Sequence, residues 1–166
     1  MKSSALVLGL LFVGLTASAK PEAVVDVTLN PMGSFKGKTS DVKGFAIVKG
    51  DTVEAKNIVV NLRSLKTGVE LRDKHTQKHL KTGEFPTAVL VSATGKGGKG
   101  TGKIKIKGIE KDIAGTYKIE GSALKAEFTL KLADFGIEDI NYMGVGVEDD
   151  VKLHVEVPIT KSLASK

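Results

Sequence analysis

Most of the chain alternates apolar and polar residues with a period of two, the mark of strands with one face buried and one wet. In Leu124-Lys125-Ala126-Glu127-Phe128-Thr129-Leu130-Lys131-Leu132 every even position is apolar. Val151-Lys152-Leu153-His154-Val155-Glu156-Val157 repeats the pattern on odd positions. Ile104 and Ile106 alternate with Lys103, Lys105 and Lys107; Ile113, Tyr117 and Ile119 mark a further strand, and Ile58, Val60 and Leu62 another. Glycines, with Asp51 and Asp150, punctuate the gaps at hairpin spacing. Many short strands joined by tight turns make an all-β fold, either a sandwich or a closed antiparallel barrel. The alternation alone does not choose between them.

One segment breaks the period. Thr67-Gly68-Val69-Glu70 has the form of a capping box, in which Thr and Glu satisfy free amides at a helix start. Leu71, His75 and His79 follow at helical spacing, with Arg72, Thr76 and Leu80 on the adjacent line. Lys78 and Lys81 suit the negative end of the helix dipole, and Gly83 suits a left-handed cap. One short helix is expected near residues 69–82.

The first residues bear on compartment. Met1-Lys2-Ser3-Ser4 is a short basic head, Ala5 to Leu15 an uncharged apolar run, and Ala17-Ser18-Ala19 a small-x-small cleavage pattern. This reads as a signal peptide over 1–19, with cleavage before Lys20 and a single domain over 20–166. The apolar run is too short to cross a bilayer. There is no cysteine, hence no lipidation site and no disulfide, and a periplasmic or secreted protein is expected.

Loss of Lys2 with the leader would lower the net charge from +6 to +5. Much of the excess sits in Lys96, Lys99, Lys103, Lys105, Lys107 and Lys111, opposed by Glu110. Export and the lack of aromatic residues in this stretch argue against nucleic acid. The stretch reads as a solvated, lysine-guarded strand face that resists edge-to-edge pairing, with an anionic surface as the alternative.

Motifs for chemistry are sparse. Gly95-Lys96-Gly97-Gly98-Lys99-Gly100 spells G-x-G-x-x-G, but a strand follows where a dinucleotide site needs a helix, so the glycines make a hairpin. Gly97 to Lys103 nearly spells a phosphate loop, but Ile104 stands where Ser or Thr must hold magnesium. His75 and His79, one helical turn apart, have chelating spacing and need a third ligand; a metal-binding or stress-response protein using them is the alternative function. Glu148-Asp149-Asp150 lacks the alternating oxygens of a calcium loop. No activated nucleophile or poised carboxylate pair is recognisable, so neither catalysis nor a cofactor is expected.

Five segments in order resemble the YceI-like polyisoprenoid-binding family. They are Ile58 to Gly68 with its Ser-Leu-x-Thr-Gly turn, Arg72-Asp73-Lys74-His75, Phe85-Pro86, Asp134-Phe135-Gly136-Ile137, and Asp150-Val151-Lys152-Leu153. Gly102 to Lys111 looks like the family's basic hairpin. The resemblance implies an extended, lipocalin-like antiparallel β-barrel with one short α-helix near an end. It further implies an apolar tunnel for an isoprenoid, quinone or fatty-acid-like lipid, and often a homodimer; transient contact with a membrane is a further expectation for a lipid carrier. On that reading Leu62, Phe85, Ile104, Ile106, Tyr117, Ile119, Leu124, Phe128 and Leu130 are candidates for ligand contact along the tunnel. Arg72, Asp73, His75 and His79 are placed at its mouth, where Arg72 suits a phosphate or carbonyl oxygen. An internal Arg72–Asp73 pair holding the helix to the barrel is the alternative for those two.

Overall fold

The computed structural model describes residues 18–162, so the leader assigned to residues 1–19 lies almost wholly outside the described residues. Among them are twelve strands and one α-helix. The strands are β1 (Glu22–Asn30), β2 (Ser34–Thr39), β3 (Val42–Lys43), β4 (Ala46–Lys49), β5 (Thr52–Asn61), β6 (Thr87–Lys96), β7 (Lys99–Ile106), β8 (Ile109–Glu120), β9 (Ala123–Lys131), β10 (Asn141–Tyr142), β11 (Val145–Val147) and β12 (Asp150–Lys161). The helix α1 spans Glu70–His79.

Strands β4 to β9 pair antiparallel in chain order, by tight turns except where the helix segment joins β5 to β6, and β12 then pairs β9 antiparallel and β4 parallel, closing seven strands into a barrel. Closure settles the choice between sandwich and barrel, and it removes the edges at which a sheet would pair with other chains. At the opposite end of β12 the β1–β2 hairpin is inserted instead of β4, with Val24 opposite His154. The barrel is therefore wider at the end where β12 begins.

The turns follow the glycines. Gly97 and Gly98 both have positive φ between β6 and β7, as a two-residue hairpin turn requires. The G-x-G-x-x-G letters are hairpin chemistry. Two features were not legible in the alternation. Asn57 is left-handed in β5, and the β6–β7 register slips between Leu90 and Ser92. Each shifts the inward phase by one residue, so Val53 and Ala55 point inward as do Ile58, Val60 and Leu62. The lysine-rich β7 lies between β6 and β8, not at an edge. Its lysines form the wet outer face of an interior strand, with Lys103 paired to Asp112 at 2.9 Å; the edge-guard expectation is corrected.

The helix is held by a seam between β2 and the segment after β5. Lys38 and Lys66 exchange backbone hydrogen bonds of 2.8 and 2.9 Å. Ser64 Oγ donates to the Asn61 carbonyl, which leaves Thr39 as the donor in the 2.6 Å hydroxyl contact between Thr39 and Ser64. The capping box takes a different form from the one expected. Gly68 turns at φ +83 and Val69 occupies the cap, so Thr67 reaches Asp73 rather than the helix amides. Thr67 N–H and O–H both donate to Asp73 Oδ1 at 2.7 Å, while Glu70 pairs with Lys74 on the surface. At the other end Lys81, not Gly83, takes the left-handed conformation, and Thr82 N–H closes onto the Gln77 carbonyl. Arg63 caps the exit by donating to the carbonyls of Thr82 and Gly83.

Asp73 is thus the helix anchor. The Thr67 hydroxyl first, then the Thr67 amide and the Lys66 charge, hold its carboxyl below the usual 3.8, against the opposing effect of burial. Because the folded form favours the charged carboxylate, this stabilisation is present above about pH 4 and is lost as pH falls below it. Asp73→Ala should lower stability by about 1–3 kcal/mol at neutral pH. In urea melts the gap between variant and wild type should narrow on acidification; a gap constant down to strongly acidic pH would contradict the anchoring role.

Candidate functional site

The barrel encloses a cavity of about 710 Å³. Its wall is built from the inward phase of most strands, β3 and β4 contributing none: Val25 and Val27 of β1, Leu90 of β6, Phe128 and Leu130 of β9, and Val151 and Leu153 of β12 are typical. Phe135 and Ile137, from the Asp-Phe-Gly-Ile turn, are buried against the same wall. The lumen remains open partly because several inward positions, Gly37, Gly95, Gly100, Gly102 and Gly115, carry no side chain. Gly95, Gly100 and Gly115 are cross-strand neighbours on β6, β7 and β8. The Tyr117 ring lies where a Gly95 side chain would be, and the Phe128 Cβ would come within 2.8 Å of a Cβ at Gly115. Gly95 lets the Tyr117 ring lie along the wall, and Gly115 lets the backbone of β9 approach β8 closely.

The helix forms one side of the mouth. Leu71, Arg72, His75, Thr76, His79 and Leu80 all face the cavity, the two lines read from helical spacing. Opposite them lies the excursion between β9 and β12. The His75 and Tyr142 rings meet across the mouth, centroids 5.0 Å apart. The Arg72 guanidinium lies over the Phe35 ring, 4.5 Å from its centroid, a cation–π contact that turns its charge toward the opening.

The candidates therefore divide. Leu62, Ile104, Ile106, Tyr117, Leu124, Phe128 and Leu130 are on the wall, and Arg72, His75 and His79 at the mouth. Three are not on the cavity wall. Ile119 has inward parity opposite Leu124, but it is 41% exposed at the end of β8 beside the Gly121 turn. Phe85 packs toward Gly108, outside the lumen. Asp73 is buried behind the helix with Thr67 and Lys66, so its partner is not Arg72. Val69, Phe35, Tyr142, Met143 and Val145 also face the cavity and were not foreseen. Tyr142 and Val145 lie on two- and three-residue strands too short to show a period, and Met143 in the turn between them; their signal was a run, Ile140 to Val147, with no charge.

His79 carries the clearest electrostatic imprint at the mouth. Burial first, then the charges of His75, Lys78 and Lys107, lower its pKa from 6.5. The neutral imidazole is favoured at neutral pH, so it can donate or accept one hydrogen bond. Among the described residues no group of three or more His, Asp or Glu side chains comes together as a metal site, so His75 and His79 have no third ligand there. In an NMR titration the His79 ring should protonate below pH 6.5, and His75→Ala should move its midpoint upward. A His79 midpoint above 6.5, or one indifferent to His75, would contradict this electrostatic account.

A family model for the YceI-like domain matches residues 18–159. The fold is similar to that of BcnA from Burkholderia cenocepacia, at TM-score 0.62 and 13% identity, covering 82% of this chain and 94% of that one. It is also similar to a polyisoprenoid binding domain from Saccharophagus degradans implicated in plant cell wall breakdown. There the TM-score is 0.56 and the identity 11%, over 84% of this chain and 93% of that one. No curated protein matches the sequence.

Proposed function

Because the chain belongs to the YceI-like family, we propose that it is a non-catalytic carrier or buffer of a long-chain apolar amphiphile, of the polyisoprenoid, quinone or fatty-acid class. It works outside the cytoplasm, in the periplasm or after secretion. The observation that carries this reading is the 710 Å³ cavity with apolar walls and a polar mouth. Its size lies within the range of small-molecule sites, roughly 300–1,000 Å³. Water suits such a hollow poorly, since a confined water needs two to four polar partners. An alkyl chain suits it well. Each CH₂ leaving water contributes about 0.8 kcal/mol, so ten carbons give roughly 8 kcal/mol before ordering costs are subtracted. A polar headgroup would remain at the opening, beside Arg72, His75 and His79. The polyisoprenoid-binding neighbour supports the same ligand class.

The chain has no tryptophan and two tyrosines, and both Tyr117 and Tyr142 border the cavity. Tyrosine emission is therefore a direct reporter of occupancy. Delipidated protein titrated with geranylgeraniol should show saturable emission changes, and native mass spectrometry of freshly purified protein should show an apolar adduct.

Ala126→Phe adds a ring beside Tyr117, its register partner; it should fold and lose the adduct. Phe128→Asp should lose it too and cost about 3–5 kcal/mol for the missing ring alone, with the unpaired carboxylate adding to that. Full loading of both variants would refute the proposed site.

A further inference from the structure

Exposed large apolar residues are not spread evenly over this barrel. Met32 and Met143 are each 86% exposed, Tyr142 53% and Leu71 51%, with Val69 and Val145 also exposed. All six lie at the helix end. Met32 is in the β1–β2 turn, Val69 and Leu71 lead into the helix, and the other three form the β10–β11 hairpin, which pairs with the end of β1. Apart from Ile109 at the start of β8, at this same end, Phe45 and Ile119 are the remaining large exposed ones among the described residues. A contiguous apolar rim on a water-exposed protein marks an interaction surface.

Two observations identify what the rim meets. Val69, Leu71, Tyr142, Met143 and Val145 are exposed and also line the cavity. Apolar surface thus extends from the outside of the molecule into the lumen, beside the polar side chains of Arg72, His75 and His79. A protein partner would seal that path, whereas a bilayer would continue it. The second observation is charge. Residues 62–83 carry Arg63, Lys66, Arg72, Lys74, Lys78 and Lys81 against Glu70 and Asp73. Among the described residues Lys78 and Lys81 are exposed and have no carboxylate partner. The acidic residues of this end include Asp134, Glu138, Asp139, Glu148, Asp149 and Asp150, which flank the uncharged run Ile140 to Val147 on the opposite rim, the last two beside Lys131. A face of this kind approaches a negative surface helix side first, with the hairpin tip following.

We propose that the helix end of the barrel is a docking face for an anionic lipid bilayer. Leu71, Tyr142 and Met143 insert at the level of the headgroups, Lys78 and Lys81 contact lipid phosphates, and the lumen opens directly into the acyl layer. This deepens the carrier reading and rests on it: a chain sliding between bilayer and barrel then never crosses water. Shallow insertion of apolar side chains backed by cations is the usual way a protein binds reversibly to a membrane surface.

The test is flotation of the full mature chain with vesicles of phosphatidylcholine alone or mixed with phosphatidylglycerol, with the lumen contents of each sample measured by mass spectrometry. The wild type should float with the phosphatidylglycerol vesicles and dissociate as salt is raised. Lys78→Glu with Lys81→Glu should weaken that binding by at least about fivefold for each lysine and leave lumen contents intact. Leu71→Asp with Met143→Asp should abolish flotation, whereas Ile119→Asp, at the other end of the barrel, should leave it unchanged.

Equal loss in Ile119→Asp, or equal binding to both vesicle types, would overturn the proposal. So would a dimer in sedimentation that Met143→Asp dissociates, since the rim would then be covered by a second copy. A wild type that holds lipid but never floats overturns the docking face and leaves the carrier reading standing. One that floats but never holds or takes up lipid overturns the carrier reading.

Discussion

Everything in this molecule depends on β12 pairing with β9 along its length while its other edge is shared between β1 and β4. The backbone hydrogen bonds of that junction turn a meander into a closed wall. Once the wall is closed, a period-two sequence has an inside and an outside with different solvents. The inward phase meets other inward side chains across a lumen; the outward phase carries the lysines and carboxylates. The two ends differ because β4 occupies one half of the junction and the β1–β2 hairpin the other.

Whether such a barrel is filled or hollow is decided by side-chain volume, not by topology. Here the inward line Gly95, Gly100 and Gly115 crosses three neighbouring strands, and the Tyr117 ring lies into the space it leaves. The helix is added at the wide end by a set of polar contacts that lie mostly behind it, with Thr67 alone of these side chains also bordering the lumen. Asp73 accepts from Thr67, Arg63 caps the helix exit, and Thr39 binds Ser64. Apolar contents and polar fastenings are thereby kept largely on opposite sides of the same segment.

That division explains what was legible in the chain. Strands with strict alternation, β9 and β12 above all, could be read residue by residue, and the helix face of Leu71, His75 and His79 followed from spacing. Asp73 could not be assigned, because an acid at a helix start fits a mouth and an anchor equally well. Ile119 kept the right parity but ran past the wall, and parity carries no information about where a strand ends. The phase shifts at Asn57 and Val91, and the short apolar hairpin at Tyr142 and Met143, leave no periodic trace. The glycines of β6 and β7 were visible as turn formers, but their second role as absent side chains appears only when the strands are placed in register.

Alternate faces of one wall have different neighbours, water without and, under the carrier proposal, an alkyl chain within. A spin-labelled stearate added to isotopically methyl-labelled protein tests this directly. The methyl signals of Ile104, Leu130 and Val151, which face the lumen, should be broadened by the bound label, while those of Val59 and Val89, paired on the outer phase of β5 and β6, should keep their intensity. Broadening confined to Val59 and Val89, or spread equally over both sets, would contradict the hollow barrel as a binding site.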